Sequence, residues 1–234
     1  MIIEDLVTQK LLENPDSIFF NLPPEEKELL RKELIVIKHS KGEIVFREDE
    51  RPAGFLCLIK GKMKIFKEGF GGREQIVRMV KPIGFVCYRA VLAEENHKAS
   101  AASLEDSITV LIRRNTIMAF IDRNPSLGLT IIKTLATELG YAYYRTLSLT
   151  QKHIRGRLAD SLLFLRDNYG FEKDGVTLHI CLSREDIANL SNMTTSNAIR
   201  TLSAFSTEGI ISISGRNIKL LDVKAIERIC ETGF

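Results

Sequence analysis

The sequence predicts an α+β protein with three parts: an antiparallel β-roll, one long helix, and a helix-turn-helix followed by a β-hairpin. Short strand-like runs, mostly separated by Gly or Pro, occupy residues 34–113. A helical stretch without internal proline covers residues 126–150, and residues 182–221 have the pattern of helix, tight turn, helix and hairpin. Many short strands with such turns are typical of an antiparallel roll or barrel.

Helices are expected on either side of the strands. Residues 14–33 have a helical pattern, in which Pro23 and Pro24 lie just before the segment KELLRKEL. Proline is tolerated only outside a helix or in its first turn. A short helix is expected at 115–123. The expected strands are 34–38, 44–46, 55–59, 63–67, 76–80 and 109–112.

The long helix at 126–150 has more apolar positions than a small roll can cover. An apolar stripe at helical spacing is widened by further apolar residues, and pairing with a second copy in a homodimer is the natural way to bury the excess. We expect a roll at residues 1–124, the long helix and hinge at 125–151, and a C-terminal domain at 152–234 that begins with a helix at 154–168. The stripe comprises Leu127, Ile131, Leu135 and Leu139, and the additional apolar positions are Leu129, Ile132 and Ala136.

Residues 182–221 carry local signals for two helices joined by a tight turn. Ser183 can cap the first helix, with Asp186 three positions later in a capping-box pattern. Asn192 in the turn is among the few non-glycine residues that tolerate left-handed backbone geometry. Thr194 is a good N-cap for the second helix.

The second helix has an apolar inner face and a largely polar outer face. Ala198, Leu202 and Phe205 recur at helical spacing and should face inward. Isoleucines and leucines at 210–213 and 218–221 then flank a turn at 214–217, a hairpin pattern. Helices that only pack a core are the alternative. The hairpin and the polar face favour the winged helix-turn-helix, whose second helix enters the DNA major groove.

Composition and charge narrow the class of protein. Hydrophobic residues make up 44% and charged residues 27%, an ordinary globular mixture. The net charge is +3, and residues 152–234 carry eleven Lys and Arg against ten Asp and Glu, so any electrostatic footprint for DNA must be local. No apolar run could span a bilayer, and the acidic N-terminus is unlike a secretory signal, which makes the cytoplasm the default location.

The chain lacks the sequence patterns of common catalytic and metal sites. Its four cysteines and four histidines are scattered without C-x-x-C spacing, so no metal site is expected. No nucleophile–base pair, P-loop or dinucleotide fingerprint is present, so we expect no enzyme. Cys57 and Cys181 lie in apolar strand-like runs and are expected to be buried.

The order of roll, long helix and winged helix-turn-helix resembles the cyclic-AMP receptor protein (Crp/Fnr) family of bacterial transcription regulators. The resemblance covers essentially the whole chain and is most specific in LSREDIANL, Arg200, EGII, and the KGE and FLxLIKGK patterns of the roll. It implies a cyclic-nucleotide-binding-like sensor domain and a homodimer. It also implies a two-fold symmetric operator with half-sites about one helical turn apart, and RNA polymerase as a candidate partner.

The resemblance also assigns DNA-contacting positions. The arginine fork at Arg200 can bind guanine O6 and N7 together, worth ~1–3 kcal/mol of discrimination, and Ile199 could meet a thymine methyl. An acidic residue usually stands where this chain has Ser196, so the operator should differ from the best-known sites. The base-reading positions are Thr195, Ser196, Ile199 and Arg200, and the phosphate-facing positions are Arg184, Thr194, Asn197 and Arg216. Arg155 is a further candidate for the DNA backbone.

The family's ligand pocket is not preserved. A glycine–acid pair and an arginine–hydroxyl pair are replaced by Cys87-Tyr88 and Lys98-Ala99, and hydroxyl residues of the long helix by Ala142-Tyr143. Lysine offers a point charge to phosphate but not a bidentate fork. Cyclic AMP is therefore not expected, and any effector or cofactor stays unknown.

Several interpretations of the altered pocket and of the chain stay open. Another anion or small metabolite could bind a pocket lined by Tyr88, Arg89, Lys98 and Tyr143. The same residues could equally form a self-filled core that leaves the dimer permanently competent for DNA. Haem held by His97 or His153 is a third alternative. From another class, the near-neutral C-terminal domain could belong to a ligand-binding or interaction module that contacts protein.

Overall fold

A computed structural model describes residues 3–233 of the chain. Within this range most strands follow one another in one run and most helices in another, as expected for an α+β protein. The chain forms two compact units, one made of residues up to Glu68 with Val77–Leu139, the other of Gly69–Ile76 with the residues from Gly140 onward. The predicted division at 124/125 and 151/152 stays a prediction. None of the described helices combines the length and apolar character needed to cross a membrane.

The strands of the first part of the chain confirm the predicted roll. Each of the six predicted strands overlaps an observed one. A seventh, the SAAS segment, was missed because it has no large apolar side chain, although it lies in the interior of its sheet. The strands are β1 (Ile35–His39), β2 (Ile44–Phe46), β3 (Gly54–Lys60), β4 (Met63–Glu68), β5 (Glu74–Val80), β6 (Ser100–Ser103) and β7 (Ser107–Arg113).

The strands form two sheets with the orders β1-β7-β3 and β2-β6-β4-β5. β7 is central in the first sheet, where Val110 lies opposite Val36 on one side and Cys57 on the other, both antiparallel. β3 is buried along nearly its whole length, which explains its continuous apolar sequence. The predicted burial of Cys57 is confirmed.

A glycine shapes the connection between β3 and β4. Gly61 has φ +99°, a conformation that L side chains rarely adopt. A Cβ at this position would lie 2.8 Å from the Cα of Ser107, closer than packed atoms approach. The turn at Gly61 therefore requires glycine for space as well as for backbone geometry.

The helices beside the roll differ from the prediction at the N-terminus. The predicted helix at 14–33 is wrong in its first half, because residues 14–23 form turns in which Asn14 Oδ1 accepts a hydrogen bond from Asp16 N at 2.8 Å. The helix begins at Pro24. Backbone N–H groups in the first turn of a helix have no acceptor within it, so a proline, which lacks this group, is tolerated there. An earlier helix was not predicted. These helices are α1 (Ile3–Leu11), α2 (Pro24–Glu33), α3 (Arg89–Leu92) and α4 (Arg114–Arg123).

The long helix α5 (Pro125–Gln151) has two apolar faces rather than one. Leu127 and Ile131 are buried in the roll core. Leu139, predicted on the same stripe, is 52% exposed. The exposed face carries apolar residues at spacings of three and four: Leu129, Ile132, Ala136, Leu139, Tyr143 and Leu147.

The C-terminal elements confirm the predicted helix-turn-helix and hairpin, although the hairpin turn is tighter than the four residues expected. Ile213 pairs with Ile218 and Ser214 with Asn217, so only two residues connect the strands. A final helix was missed although its apolar residues recur at helical spacing. The elements are α6 (Ile154–Tyr169), α7 (Arg184–Leu190), α8 (Thr195–Thr207), β8 (Ile211–Ser214), β9 (Asn217–Leu220) and α9 (Val223–Thr232).

The expectation for Cys181 is wrong. Its side chain is exposed, and the residue lies outside any strand. The Cys181 thiol donates to Asn217 Oδ1 at 2.9 Å, so it contacts the hairpin turn rather than the core. The apolar run around it belongs to a connection in which the neighbouring Ile180 and Leu182 are buried.

Candidate DNA-binding interface

Side-chain caps fix both helices of the helix-turn-helix, as predicted. Ser183 Oγ accepts a hydrogen bond from Asp186 N at 2.9 Å and begins α7. Asn192 in the turn has φ +49°. Thr194 Oγ1 accepts a hydrogen bond from Asn197 N at 3.2 Å and begins α8. Thr194, predicted to face phosphate, therefore also has a structural role in the cap.

The four predicted base-reading residues share one exposed face of α8. Ala198, Leu202 and Phe205 are buried on the opposite face, so the predicted inward positions are confirmed. Ile199 is 48% exposed, and such an accessible aliphatic side chain among polar ones offers a contact surface. Asn197 is half-buried at the edge of this face. The exposed residues are Thr195, Ser196, Ile199 and Arg200.

Two arginines of this surface are free for an external partner. Arg200 projects from the middle of α8, and Arg216 lies in the turn of the β8–β9 hairpin. Both side chains are exposed, and neither makes a hydrogen bond or ion pair with the residues that the structure describes. Each guanidinium therefore keeps all five N–H donors for a nucleic acid.

Two other arginines are held by the protein itself. Arg184 Nη2 donates to Gly215 O in the hairpin turn at 2.7 Å. Arg155 donates from both terminal nitrogens to the two carboxylate oxygens of Glu208 at 2.7 Å each, at the C-terminal end of α8. The Arg155 bonds lower the pKa of Glu208. Arg200 and Arg216 are thus available to DNA, whereas Arg184 and Arg155 already bind groups of the protein.

The turn of the helix-turn-helix is held by α5. Arg145 is buried and donates from Nη2 to Leu190 O at 2.7 Å. Ser191 Oγ donates to Ser161 Oγ on α6 at 2.8 Å, next to the same carbonyl. Because the turn sets the angle between α7 and α8, these two bonds position α8.

Arg145 belongs to a polar cluster centred on a buried carboxylate. Asp160 on α6 accepts hydrogen bonds from Ser148 Oγ at 2.9 Å, from Lys152 Nζ at 3.0 Å and from the Tyr144 hydroxyl. Arg145 Nη1 lies 3.5 Å from its second oxygen. Burial alone would raise the pKa of Asp160, but the hydrogen bonds outweigh burial and hold it below the ordinary value.

This cluster was missed by sequence reasoning. The signal that was available is the polar spacing on α5, where residues 144, 145 and 148 fall along one side of the helix and Lys152 follows its last residue. Their common partner, Asp160, is on α6, so the spacing on α5 predicts a polar face but does not identify the residue that this face contacts.

The interior of the roll is filled by aromatic side chains, among them a predicted pocket residue. Tyr88 is only 2% exposed. Its ring centroid lies 5.6 Å from that of Phe85 and 6.1 Å from that of Phe55. The Phe19 ring lies edge-on to Phe85, with centroids 6.1 Å apart. These rings pack in the tilted and edge-on arrangements that aromatic pairs prefer.

The two predicted cationic pocket residues meet a carboxylate of the protein. Arg89 forms an ion pair with Glu95, and Lys98 Nζ lies 3.8 Å from the same carboxylate. The hydrogen bond from Arg89 lowers the pKa of Glu95. Arg89 and Lys98 are therefore brought together, but their charges are partly compensated from within. Tyr143, the fourth predicted residue, belongs to the other compact unit and is 67% exposed.

One histidine considered for haem lies in the roll. His97 is buried, stacks on Phe46 with ring centroids 3.8 Å apart, and contacts Cys87 Sγ at 3.6 Å. Burial lowers the pKa of His97 and raises that of the Cys87 thiol to about 12. Within residues 3–233 the structure shows no group of three or more metal-ligating side chains.

The roll, the long helix and the exposed face of a winged helix-turn-helix define a class of DNA-binding regulators, and comparisons with known proteins identify the family. The model of the cyclic nucleotide-binding domain matches residues 36–124, and that of the Crp-like helix-turn-helix domain matches residues 156–229. The chain therefore belongs to the Crp/Fnr family of transcription regulators, with a DNA-binding helix-turn-helix.

Individual relatives agree with this assignment. The chain is 24% identical over 213 residues to the CRP-like cAMP-activated global transcriptional regulator of Mycobacterium tuberculosis, covering 90% of this chain and 95% of the relative. FixK2 from Bradyrhizobium japonicum has a similar fold, with a TM-score of 0.74 at 24% identity over 83% of this chain and 96% of that one. The c-di-GMP responsive regulator CLP of Xanthomonas campestris gives 0.71 at 18% identity, covering 85% and 99%.

Proposed function

We propose that the protein is a dimeric, sequence-specific regulator that binds a two-fold symmetric operator. The observation that carries the proposal is the outward face of α8, where Arg200 lies exposed beside Ile199 and Ser196 and has no hydrogen bond or ion pair within residues 3–233. A helix of this kind inserts its exposed side chains into the major groove. RNA polymerase is the expected further partner of the bound regulator.

The exposed face of α5 supports the dimer. Its apolar residues follow spacings of three and four, the pattern by which two helices interlock along a shared seam. Ile132 is 62% exposed and Leu139 52%, so the seam would remove substantial apolar surface from water. A two-fold axis along this seam presents two α8 helices to half-sites about one helical turn apart.

The individual roles on DNA follow from side-chain chemistry. Arg200 donates its fork to guanine O6 and N7, and Ile199 contacts a thymine methyl. Thr195 and Ser196 offer short hydroxyls to neighbouring base edges. Arg216, Thr194 and Asn197 contact phosphates and fix the register of the protein without selecting sequence.

We propose further that cyclic AMP is not the effector. Tyr88 occupies the roll interior with Phe55 and Phe85, and Glu95 already compensates the cations at Arg89 and Lys98. Activation by cyclic AMP, printed in the name of the Mycobacterium relative, is a property of that protein. A self-filled roll favours a dimer that is competent for DNA without a ligand, in which operator occupancy follows the amount of protein.

Replacing Arg200 tests the reading function. Selection of operators from a random DNA library should give a palindromic site for the wild type. Arg200→Ala should lose preference at one base pair per half-site, a loss of about 1–3 kcal/mol, and stay dimeric. Arg228→Ala, an exposed arginine on α9, is the matched control and should keep the wild-type site.

Two outcomes contradict the proposal. If Arg200→Ala binds every member of an operator library as the wild type does, Arg200 does not read a base. If the wild type enriches no sequence and its DNA binding is independent of salt, the winged domain contacts protein instead, because phosphate contacts must weaken steeply as salt rises.

A further inference from the structure

The wing of this domain is small and needs support. β8 and β9 have four residues each, and a two-stranded hairpin of this length is at best marginally stable alone. Backbone bonds from the preceding segment support β9, where Leu220 N donates to Val176 O and Leu178 N donates to Ile218 O, both at 2.9 Å. The tip residues Gly215 and Arg216 lie beyond these bonds and take part in neither.

Two side chains near the start of α7 reach the tip. Arg184 Nη2 donates to Gly215 O at 2.7 Å, and the Cys181 thiol donates to Asn217 Oδ1 at 2.9 Å. These contacts bracket Arg216 on both sides. The Arg184 Nη1 atom is buried and has no hydrogen-bond partner among the described residues, so the guanidinium is turned into the protein rather than fully presented to solvent.

The Arg184 bond acts on the backbone directly beside Arg216. Gly215 has φ +59°, and its carbonyl accepts the Arg184 bond immediately before Arg216. A guanidinium bound to this carbonyl restrains the backbone that carries Arg216. Without the bond, Arg216 would sample many positions and pay more entropy to meet a phosphate.

We propose that Arg184 is a positioning residue that holds the wing tip so that Arg216 meets its phosphate, rather than a phosphate contact of its own. This inference rests on the proposed function and revises one expected role, since the family resemblance places Arg184 at a phosphate-facing position. Arg184 acts on DNA through Arg216, and the two residues contribute as one unit.

A double-mutant cycle on the full-length protein tests this. Arg184→Met keeps most of the stem and removes the donors, and Arg216→Ala removes the phosphate contact. Each single variant should reduce the slope of log affinity against log salt by about 1 for each affected half-site. The double variant should lower the slope no further than the single ones and should bind the operator within about twofold of the weaker single variant.

The free protein gives a second, independent readout. Backbone order parameters at Ser214–Asn217 should fall in Arg184→Met and stay at wild-type values in Arg216→Ala. Arg184→Lys, which keeps a donor for Gly215 O, should restore the order of the tip. Thermal unfolding of each variant shows whether the domain itself is intact.

The outcomes separate this inference from the proposed function. Additive losses in the cycle, with the slope falling twice as far in the double variant, overturn the positioning role and assign Arg184 its own phosphate. Unchanged order at the tip in Arg184→Met also overturns it. If the wild type binds no specific DNA, the proposed function fails, while the order parameters still decide whether Arg184 holds the tip.

Discussion

At the scale of single residues, Asp160 is an acidic side chain that is almost fully buried. Its carboxylate is buried, and it is compensated by Lys152, by the more distant Arg145 and by two hydroxyl groups. A buried charge is tolerated only when paired and hydrogen-bonded. Its partner Arg145 also binds Leu190 O, so the same charge that stabilises the unit helps to position the turn between α7 and α8.

We therefore expect Asp160→Ala to destabilise the protein by about 3–5 kcal/mol, because it leaves the buried Arg145 and the half-buried Lys152 without their common carboxylate. Urea unfolding at neutral pH measures the change. The nearby Asp167→Ala is the control: its exposed pair with Arg166 should contribute less than about 1 kcal/mol. If the two variants lower the free energy of unfolding equally, the buried cluster contributes no more to stability than an exposed ion pair does.

The same residue predicts a pH dependence. The folded pKa of Asp160 lies below its ordinary value, so its stabilising contribution is present at neutral pH. That contribution is lost as the pH falls below about 4, the unfolded value, and through the folded value. Asp160→Asn should accordingly lose stability at pH 7 and show a shallower further loss on acidification than the wild type.

At the scale of elements, α5 shows what a sequence pattern leaves undecided. Its apolar positions predicted one wide stripe, whereas the structure divides them between a face buried in the roll and a face exposed to solvent. Periodicity places residues on a helix, but only the packed partner decides which stripe is covered. The exposed stripe is the surface through which we propose that two copies of the chain dimerise.

Charge introduced into this stripe should prevent dimerisation. In the double variant Ile132→Glu and Leu139→Glu, four carboxylates would meet at the seam, and desolvating unpaired charges opposes association. Sedimentation should show a monomer at concentrations where the wild type is dimeric. Thr137→Glu adds a charge at an exposed position off the stripe and should leave the dimer intact. A double variant that stays dimeric would place the interface elsewhere.

Local signals explain which elements and site residues were predictable. The caps at Ser183 and Thr194 are contacts between residues three apart, so the helix-turn-helix could be recognised from sequence. β6 was missed because a segment of small residues becomes a strand only between two neighbours. The cluster at Asp160 and the bond from Arg184 to Gly215 join residues 8 to 31 apart, separations that no local pattern encodes.

At the scale of the whole molecule, a regulator with a filled roll should not respond to cyclic nucleotides. We expect 1 mM cyclic AMP to leave the thermal midpoint unchanged. A ligand present at 100 times its dissociation constant would stabilise the folded state by about 2.7 kcal/mol, well within the reach of a thermal-shift measurement. The cAMP-activated relative from Mycobacterium tuberculosis is the positive control. A clear increase in the thermal midpoint of the present protein would show that cyclic AMP binds and that the Tyr88 side chain moves to admit it.

The continuity of α5 has a geometric consequence. The helix runs from Pro125 to Gln151 through Gly140, where one compact unit ends and the other begins. Each residue added to a helix rotates everything beyond it by about 100°. One residue inserted after Gly140 would carry Tyr143 and Leu147 out of line with Leu129 and Ile132. Seven would restore the alignment to about 20°. An insertion or deletion in α5 therefore keeps its exposed apolar stripe in line only when its length preserves helical phase.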